Sequence, residues 1–150
     1  MSTALEEVQD DAAQLRAAGL RVTRPRLGVL AALREHPHAD AADVLTAVRA
    51  KLPTVSHQAV YDSLHALTEA GVVRSLQPAG STTRYEIDSH DNHHHGVCRR
   101  CGAVVDVPCH TGQAPCLHAP HGHGFAIDEA EVYYWGVCPS CAAENDLRNH

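Results

Sequence analysis

Two Cys-x-x-Cys pairs, Cys98/Cys101 and Cys138/Cys141, stand in the last third of the chain, with histidines and carboxylates crowded before and between them. Four thiolates can close a tetrahedral Zn²⁺ site, and His, Asp and Glu side chains supply the mixed nitrogen and oxygen donors that suit a second, exchangeable cation. One metal would build the structure and the other could sense. The 36 residues between the pairs (102 to 137) exceed the spacing of a compact zinc ribbon, so redox-active dithiols stay open beside structural zinc.

The whole chain sets limits on what can hold these residues. Its 150 residues can bury one ordinary core or two small ones. The start, MSTALEEVQDDAAQL, has neither the basic opening nor the apolar run of a signal peptide, and no stretch approaches the roughly 18 apolar residues of a membrane span. A cytoplasmic location is expected, where paired cysteines bind metal more often than they form disulfides. Charge divides the chain: residues 1 to 85 hold 9 Lys/Arg against 9 Asp/Glu, whereas residues 86 to 150 hold 3 against 9 and carry 9 of the 13 histidines. Two domains with a boundary near Gly80 to His90 follow, the acidic one attracting metal and the neutral one free to present a local basic face.

The first half is patterned for helices. Residues 5 to 18 place Leu5, Val8, Ala12 and Leu15 at three- and four-residue steps, with Gly19 to end the helix. Thr23 is a good N-cap for a second helix with Pro25 in its first turn and Leu27, Leu30 and Leu33 on one face, stopped by His36-Pro37. A third helix, about Ala41 to Lys51, turns Val44, Leu45 and Val48 inward and ends before Pro53. Ser56 can cap a fourth whose Ala59, Val60, Leu64 and Leu67 face the core, ending at Gly71 and presenting His57, Gln58, Tyr61 and Asp62 outward. VVRSLQP and TTRYEID then read as a β-hairpin around Pro78-Ala79-Gly80-Ser81.

Helices followed by a β wing describe a winged helix-turn-helix, whose recognition helix enters the DNA major groove. Gln58 could bond base edges, and Tyr61 could touch a thymine methyl or a phosphate. Ser56 and His57 open the same helix, Arg21, Arg24 and Arg26 cluster before the second helix, and Arg74 and Arg84 bracket the wing as phosphate contacts. The plainer alternatives are a helical protein-interaction module and ordinary solvated arginines. Asp62 would cost affinity near a phosphate unless it accepts from a cytosine amine or an arginine.

Short strands at 96 to 98, 103 to 107 and 131 to 137 would form a small sheet, with a Cys-x-x-Cys turn ending two of them so that the knuckles meet. Cys109 and Cys116, near His110, His118, His121 and His123, read as a polar loop with incidental ligands, with a further zinc site or a thiol switch as alternatives.

The segments RVTRPRLGVL, VSHQAVYDSLHALTEAGVV, RYEI, HHHGVCRRCG, VVDV and VYYWGVCPSC resemble the ferric uptake regulator (Fur) family over nearly the whole chain. The resemblance implies an α/β chain of α+β type: a winged-helix DNA-binding domain over 1 to 85, a hinge over 86 to 92 and a small α/β metal-binding dimerisation domain over 93 to 150. It implies structural Zn²⁺ on Cys98, Cys101, Cys138 and Cys141, and a regulatory Fe²⁺ or Mn²⁺ on His38, Glu86, His93, His95 and Asp106. His36 rivals His38, whose distance from the Asp43-Val44-Leu45 helix fits better, and His94 is expected to face solvent. Such a site binds weakly at low pH, because its imidazoles must be neutral.

The cysteine-rich tail resembles the peroxide-sensing (PerR-like) branch and the catalase-linked regulators of actinobacteria, of the FurA or CatR type. The implied function is a homodimeric, metal-dependent repressor of catalase genes on double-stranded, inverted-repeat DNA, with H₂O₂ as its signal. Glu86 stands where that branch carries Asp, as in iron-uptake regulators, which keeps an iron-responsive repressor as the runner-up, with a zinc-uptake regulator behind it. The family's additional metal site uses a histidine shortly before the last strand, where this chain has Ala130, so two metal sites per subunit are expected. A metal-storage protein or a hydrolase would explain the histidines but not the winged helix, and no enzymatic pocket or general base is marked.

Overall fold

The computed structural model describes residues 2–112, 116–117, 119 and 121–148. The chain forms two compact units, Met1–Ser89 and His90–His150.

The first unit contains α1 (Ser2–Ala17), α2 (Arg24–Glu35), β1 (Ala39–Asp40), α3 (Ala41–Lys51), α4 (His57–Glu69), β2 (Val73–Leu76) and β3 (Arg84–Ile87). Three of its helices start where a side chain satisfies an orphan amide. Thr23 accepts from the Arg26 N–H at 3.3 Å, Asp40 from Asp43 at 2.9 Å and Ser56 from Ala59 at 3.0 Å. The core is the sum of their inward stripes: Leu15, Val29, Leu30, Leu33, Val44, Val48, Val60, Leu64 and Leu67 are almost wholly buried. Each contributes about 1.5–3 kcal/mol relative to exposure. Gly28 permits the close approach of α2 to α3, since a Cβ there would lie 3.2 Å from a Val48 methyl.

Only the C-terminal half of α1 joins this core. Leu15 is buried, but Leu5 and Val8 are exposed despite their helical spacing. Asp11, also buried, is held by the Arg34 guanidinium of α2, and that contact raises the already high pKa of Arg34.

The hairpin pairs Val73 with Ile87 and Leu76 with Arg84. The two-residue β1 adds a third, antiparallel strand on the other side of β3, pairing Ala39 with Tyr85, for a sheet order β1-β3-β2. Sequence periodicity cannot register so short a strand.

The second unit comprises β4 (His93–Cys98), β5 (Val104–Pro108), β6 (Tyr133–Gly136) and a terminal helix, α5 (Pro139–Arg148), not foreseen from the sequence. The sheet order is β5-β4-β6, antiparallel between β4 and β5 and parallel between β4 and β6. Among the described residues, no helix is long and apolar enough to cross a membrane.

Candidate metal centres and nucleic-acid interface

The parallel pairing of β4 with β6 solves the long spacing between the cysteine pairs. Cys98 ends β4 opposite Gly136, and the Arg99 N–H donates to the Gly136 carbonyl at 2.8 Å, so both strands deliver a knuckle to one end of the sheet. The first knuckle closes where Gly102, at φ 75, donates its N–H to the Cys98 carbonyl. The second runs into α5, whose first turn carries Cys141, while Arg100 donates to the Cys141 carbonyl at 2.7 Å. All four cysteines are free thiols whose sulfurs lie within 4.8 Å of one another. Cys101 Sγ and Cys138 Sγ are 3.7 Å apart. A Zn–S bond of about 2.3 Å in a tetrahedron needs an edge of about 3.8 Å, so the donor set fits Zn²⁺.

Proton affinities within the group agree with that fit. The amide groups of Cys101, Cys138 and Arg100 bring the Cys98 thiol down to about 6. Cys141, bonded toward Cys138 and buried, is pushed up to about 12. Converging thiolates repel, so the later ones keep their protons; a central dication removes that penalty.

In the first unit, His38 sits just before β1 at φ 66, a left-handed conformation that is rare for histidine. Its backbone is held on both sides: its N–H donates to the Tyr85 carbonyl at 3.0 Å, and Arg84 Nη1 donates to its carbonyl at 3.1 Å. Nε2 thereby lies 3.1 Å from Glu86 Oε2 on β3. His36, the rival, is the exposed C-cap residue of α2. In the second unit, His93 and His95 share one face of β4 with Asp106, the cross-strand partner of His95. Both imidazole Nε2 atoms stand 3.6 Å from Asp106 Oδ1, and His93 Nδ1 also meets Asp91 at 2.7 Å.

The solvent-facing expectation for His94 is corrected. Strand alternation turns His94 away from His93 and His95, but Cys116 lies against it there, and His94 is only 5% exposed. Its Nε2 lies 3.1 Å from Cys116 Sγ, and Cys109 completes a three-donor group. Cys109 accepts from Asn92 at 3.1 Å and is lowered to about 6, chiefly by its hydrogen bond with the Thr111 hydroxyl. Cys116 is raised, first by burial and then by its bond with Cys109. His110, His121 and His123 are exposed, and His118 lies outside the described residues. The strand parity of β4 was the available signal: His94 pairs with Val107, two residues before Cys109.

On α4, His57, Gln58, Tyr61 and Asp62 are exposed, while Ser56 is engaged as the cap. Two pairs order the polar face. The His57 and Tyr61 rings lie 4.5 Å apart, and Gln58 Nε2 donates to Asp62 Oδ1 at 2.7 Å, so Asp62 has a partner one turn away. Arg21 and Arg24 are exposed, whereas Arg26 braces the turn before α2 by donating to the Arg21 carbonyl at 2.7 Å. Arg74 on β2 is half-buried, as is Arg84, which holds His38.

A winged-helix unit followed by a sheet unit carrying a four-thiol cluster and histidine–carboxylate donors is the build of a metal-responsive transcription regulator. The ferric uptake regulator family matches residues 17–135, and the chain belongs to that family. It is 57% identical over 146 residues to the transcriptional regulator FurA of Mycobacterium bovis, across 97% of this chain and 99% of that protein. With the peroxide-responsive repressor PerR of Staphylococcus epidermidis it shares 31% identity over 153 residues, across 97% of this chain and 100% of the other. A zinc uptake regulator complexed with zinc and DNA has the same fold, with a TM-score of 0.69, 24% identity, and coverage of 97% of this chain and 99% of that one.

Proposed function

We propose that the protein is a homodimeric repressor of catalase and related peroxide-defence genes, bound to an inverted-repeat operator when metal-loaded and released when H₂O₂ oxidises a ligand histidine. The observation that carries this reading is the divided donor set, with His38 and Glu86 in the first unit and His93, His95 and Asp106 in the second. One cation drawing on both sets would tie the operator-reading half, residues 1 to 85, to the dimerisation half, residues 93 to 150, across a hinge at 86 to 92. Metal loading would then bias the spacing of two recognition helices in a dimer. Structural Zn²⁺ on the four cysteines leaves the mixed site to Fe²⁺ or Mn²⁺, in keeping with its nitrogen and oxygen donors.

The dimer reading is supported by apolar surface on the second unit: Val105 and Tyr134, flanking Gly96 on the sheet, are 59% and 53% exposed. The DNA reading rests on α4 with its exposed Gln58 and Tyr61, and on Arg21 and Arg24, with Arg26 and Ser56 ordering the backbone around them. Tyr61→Ala is expected to weaken specific operator binding by about 1–3 kcal/mol while leaving zinc content unchanged. Fluorescence anisotropy on specific and scrambled duplexes checks this; equal operator affinity would displace α4 as the reading helix.

His38, Glu86, His93, His95 and Asp106 would hold Fe²⁺, which would supply one-electron reduction of H₂O₂ at the site, and the imidazoles of His38 and His93 are the expected targets of the resulting oxidation. Anaerobic anisotropy on protein loaded with Fe²⁺ or Mn²⁺, before and after stoichiometric H₂O₂, tests the reading together with mass spectrometry. Release of the iron form alone, with one oxygen added at His38 or His93, is the expected result. Glu86 favours a second reading, an iron-responsive repressor that uses the same site reversibly. Release by chelation, with both metal forms unmodified and still bound after peroxide, would select it.

A further inference from the structure

Among the described residues, outside the four-cysteine cluster and the His38, Glu86, His93, His95 and Asp106 donors, one group of potential ligands has no role in the proposed function. We propose that His94, Cys109 and Cys116 form a third metal site, for a thiophilic cation of the Zn²⁺ type. The three come from two separate stretches of chain. β4 supplies His94 from the face opposite His93 and His95, Cys109 follows the end of β5, and Cys116 returns from the loop seven positions later.

One ligand atom from each of the three lies within 4.8 Å of the others. His94 Nε2 and Cys116 Sγ are 3.1 Å apart, and His94 is nearly wholly buried while both cysteines are partly accessible. Bonds of about 2.0–2.1 Å to nitrogen and 2.3 Å to sulfur require donor separations near 3.5–3.8 Å, so the His94–Cys116 pair would open by only about half an ångström. Two thiolates and an imidazole select Zn²⁺ over Mn²⁺ or Mg²⁺, which prefer oxygen. Three protein donors leave a fourth position open to water or another ligand, as at reactive rather than purely structural zinc sites. Asn92 orients Cys109 by donating to its sulfur. The site is separate from the mixed-donor centre because side chains of adjacent strand residues point to opposite faces of the sheet.

The test uses reduced, full-length protein with zinc in the four-cysteine site, titrated anaerobically with Co²⁺ as a spectroscopic probe and with Zn²⁺ as competitor. The wild type is expected to bind one equivalent per chain more than the Cys109→Ser/Cys116→Ser variant. That equivalent carries a sulfur-to-cobalt charge-transfer band, which Zn²⁺ abolishes. His94→Gln is expected to weaken it by at least tenfold, the lower limit for disturbing a ligand's surroundings. Equal stoichiometry and equal spectra in wild type and double variant would overturn the site.

Alkylation by iodoacetamide, read by peptide mass spectrometry, removes any dependence on how the variants fold. Zn²⁺ is expected to slow modification of Cys109 and Cys116 about tenfold or more in the wild type. Modification at the same rate with and without Zn²⁺ would reject a metal site and leave a thiol pair.

Discussion

Cys98→Ser or Cys138→Ser is expected to abolish zinc retention at the four-cysteine site together with dimerisation, reducing zinc by one equivalent per chain. The reason lies in how little else holds the second unit. Among its described residues, the buried apolar side chains are Val97, Cys98 and Cys141, and two of those three belong to the proposed zinc site. A unit of this size with so small a core needs a cross-link or a metal to offset chain entropy, and structural zinc supplies an apparent 10–16 kcal/mol in small zinc domains. Removing one thiolate opens the tetrahedron and releases β4 from the turn into α5, since the Cys138 N–H donates to Cys98 Sγ at 3.3 Å. The first unit has its own core, so its helical circular dichroism should survive. Metal analysis and size-exclusion chromatography check the outcome; a stable metal-free dimer from either variant would remove the structural role of zinc.

His38→Ala is expected to abolish metal-activated operator binding while zinc content stays unchanged. The strained histidine backbone, fixed through Tyr85 and Arg84, places its imidazole beside Glu86, so losing the ring removes a donor and leaves that carboxylate without this partner. Disturbing groups that merely orient ligands costs about 10–100-fold in metal affinity, and deleting a ligand should cost at least that much. His36→Ala is the matched control: two residues away and exposed, it should retain wild-type activation. The measurement is operator anisotropy against free Mn²⁺. If His36→Ala alone loses activation, the ligand lies at the end of α2 instead.

Local chemistry made much of the fold legible in the residues themselves. Thr23 and Ser56 announce the starts of α2 and α4 because a capping hydroxyl serves an amide only three positions away, and Leu30, Leu33, Leu64 and Leu67 recur at the spacing of one helical face. The cysteine pairs read as candidate metal ligands because two residues between thiols form one tight knuckle, whatever surrounds it. Family resemblance favours His38 over His36; the sequence does not encode visibly that β1 would pin His38 against β3.

What tertiary structure alone decided were the matters of which surface covers which. Leu5 and Val8 have helical spacing but stay exposed, and Ala39–Asp40 becomes a strand only because β3 lies beside it. Parallel pairing of β4 with β6 brings together cysteine knuckles separated by 36 residues, a result of long-range register that spacing cannot express. His94 gives the sharpest contrast. Its sequence fixes which face of the strand it occupies, since side chains alternate, but whether that face meets water depends on where Cys109 and Cys116 come to lie. Periodicity and capping act over a few residues and are written locally, whereas burial depends on partners distant in the chain and exists only once they have met.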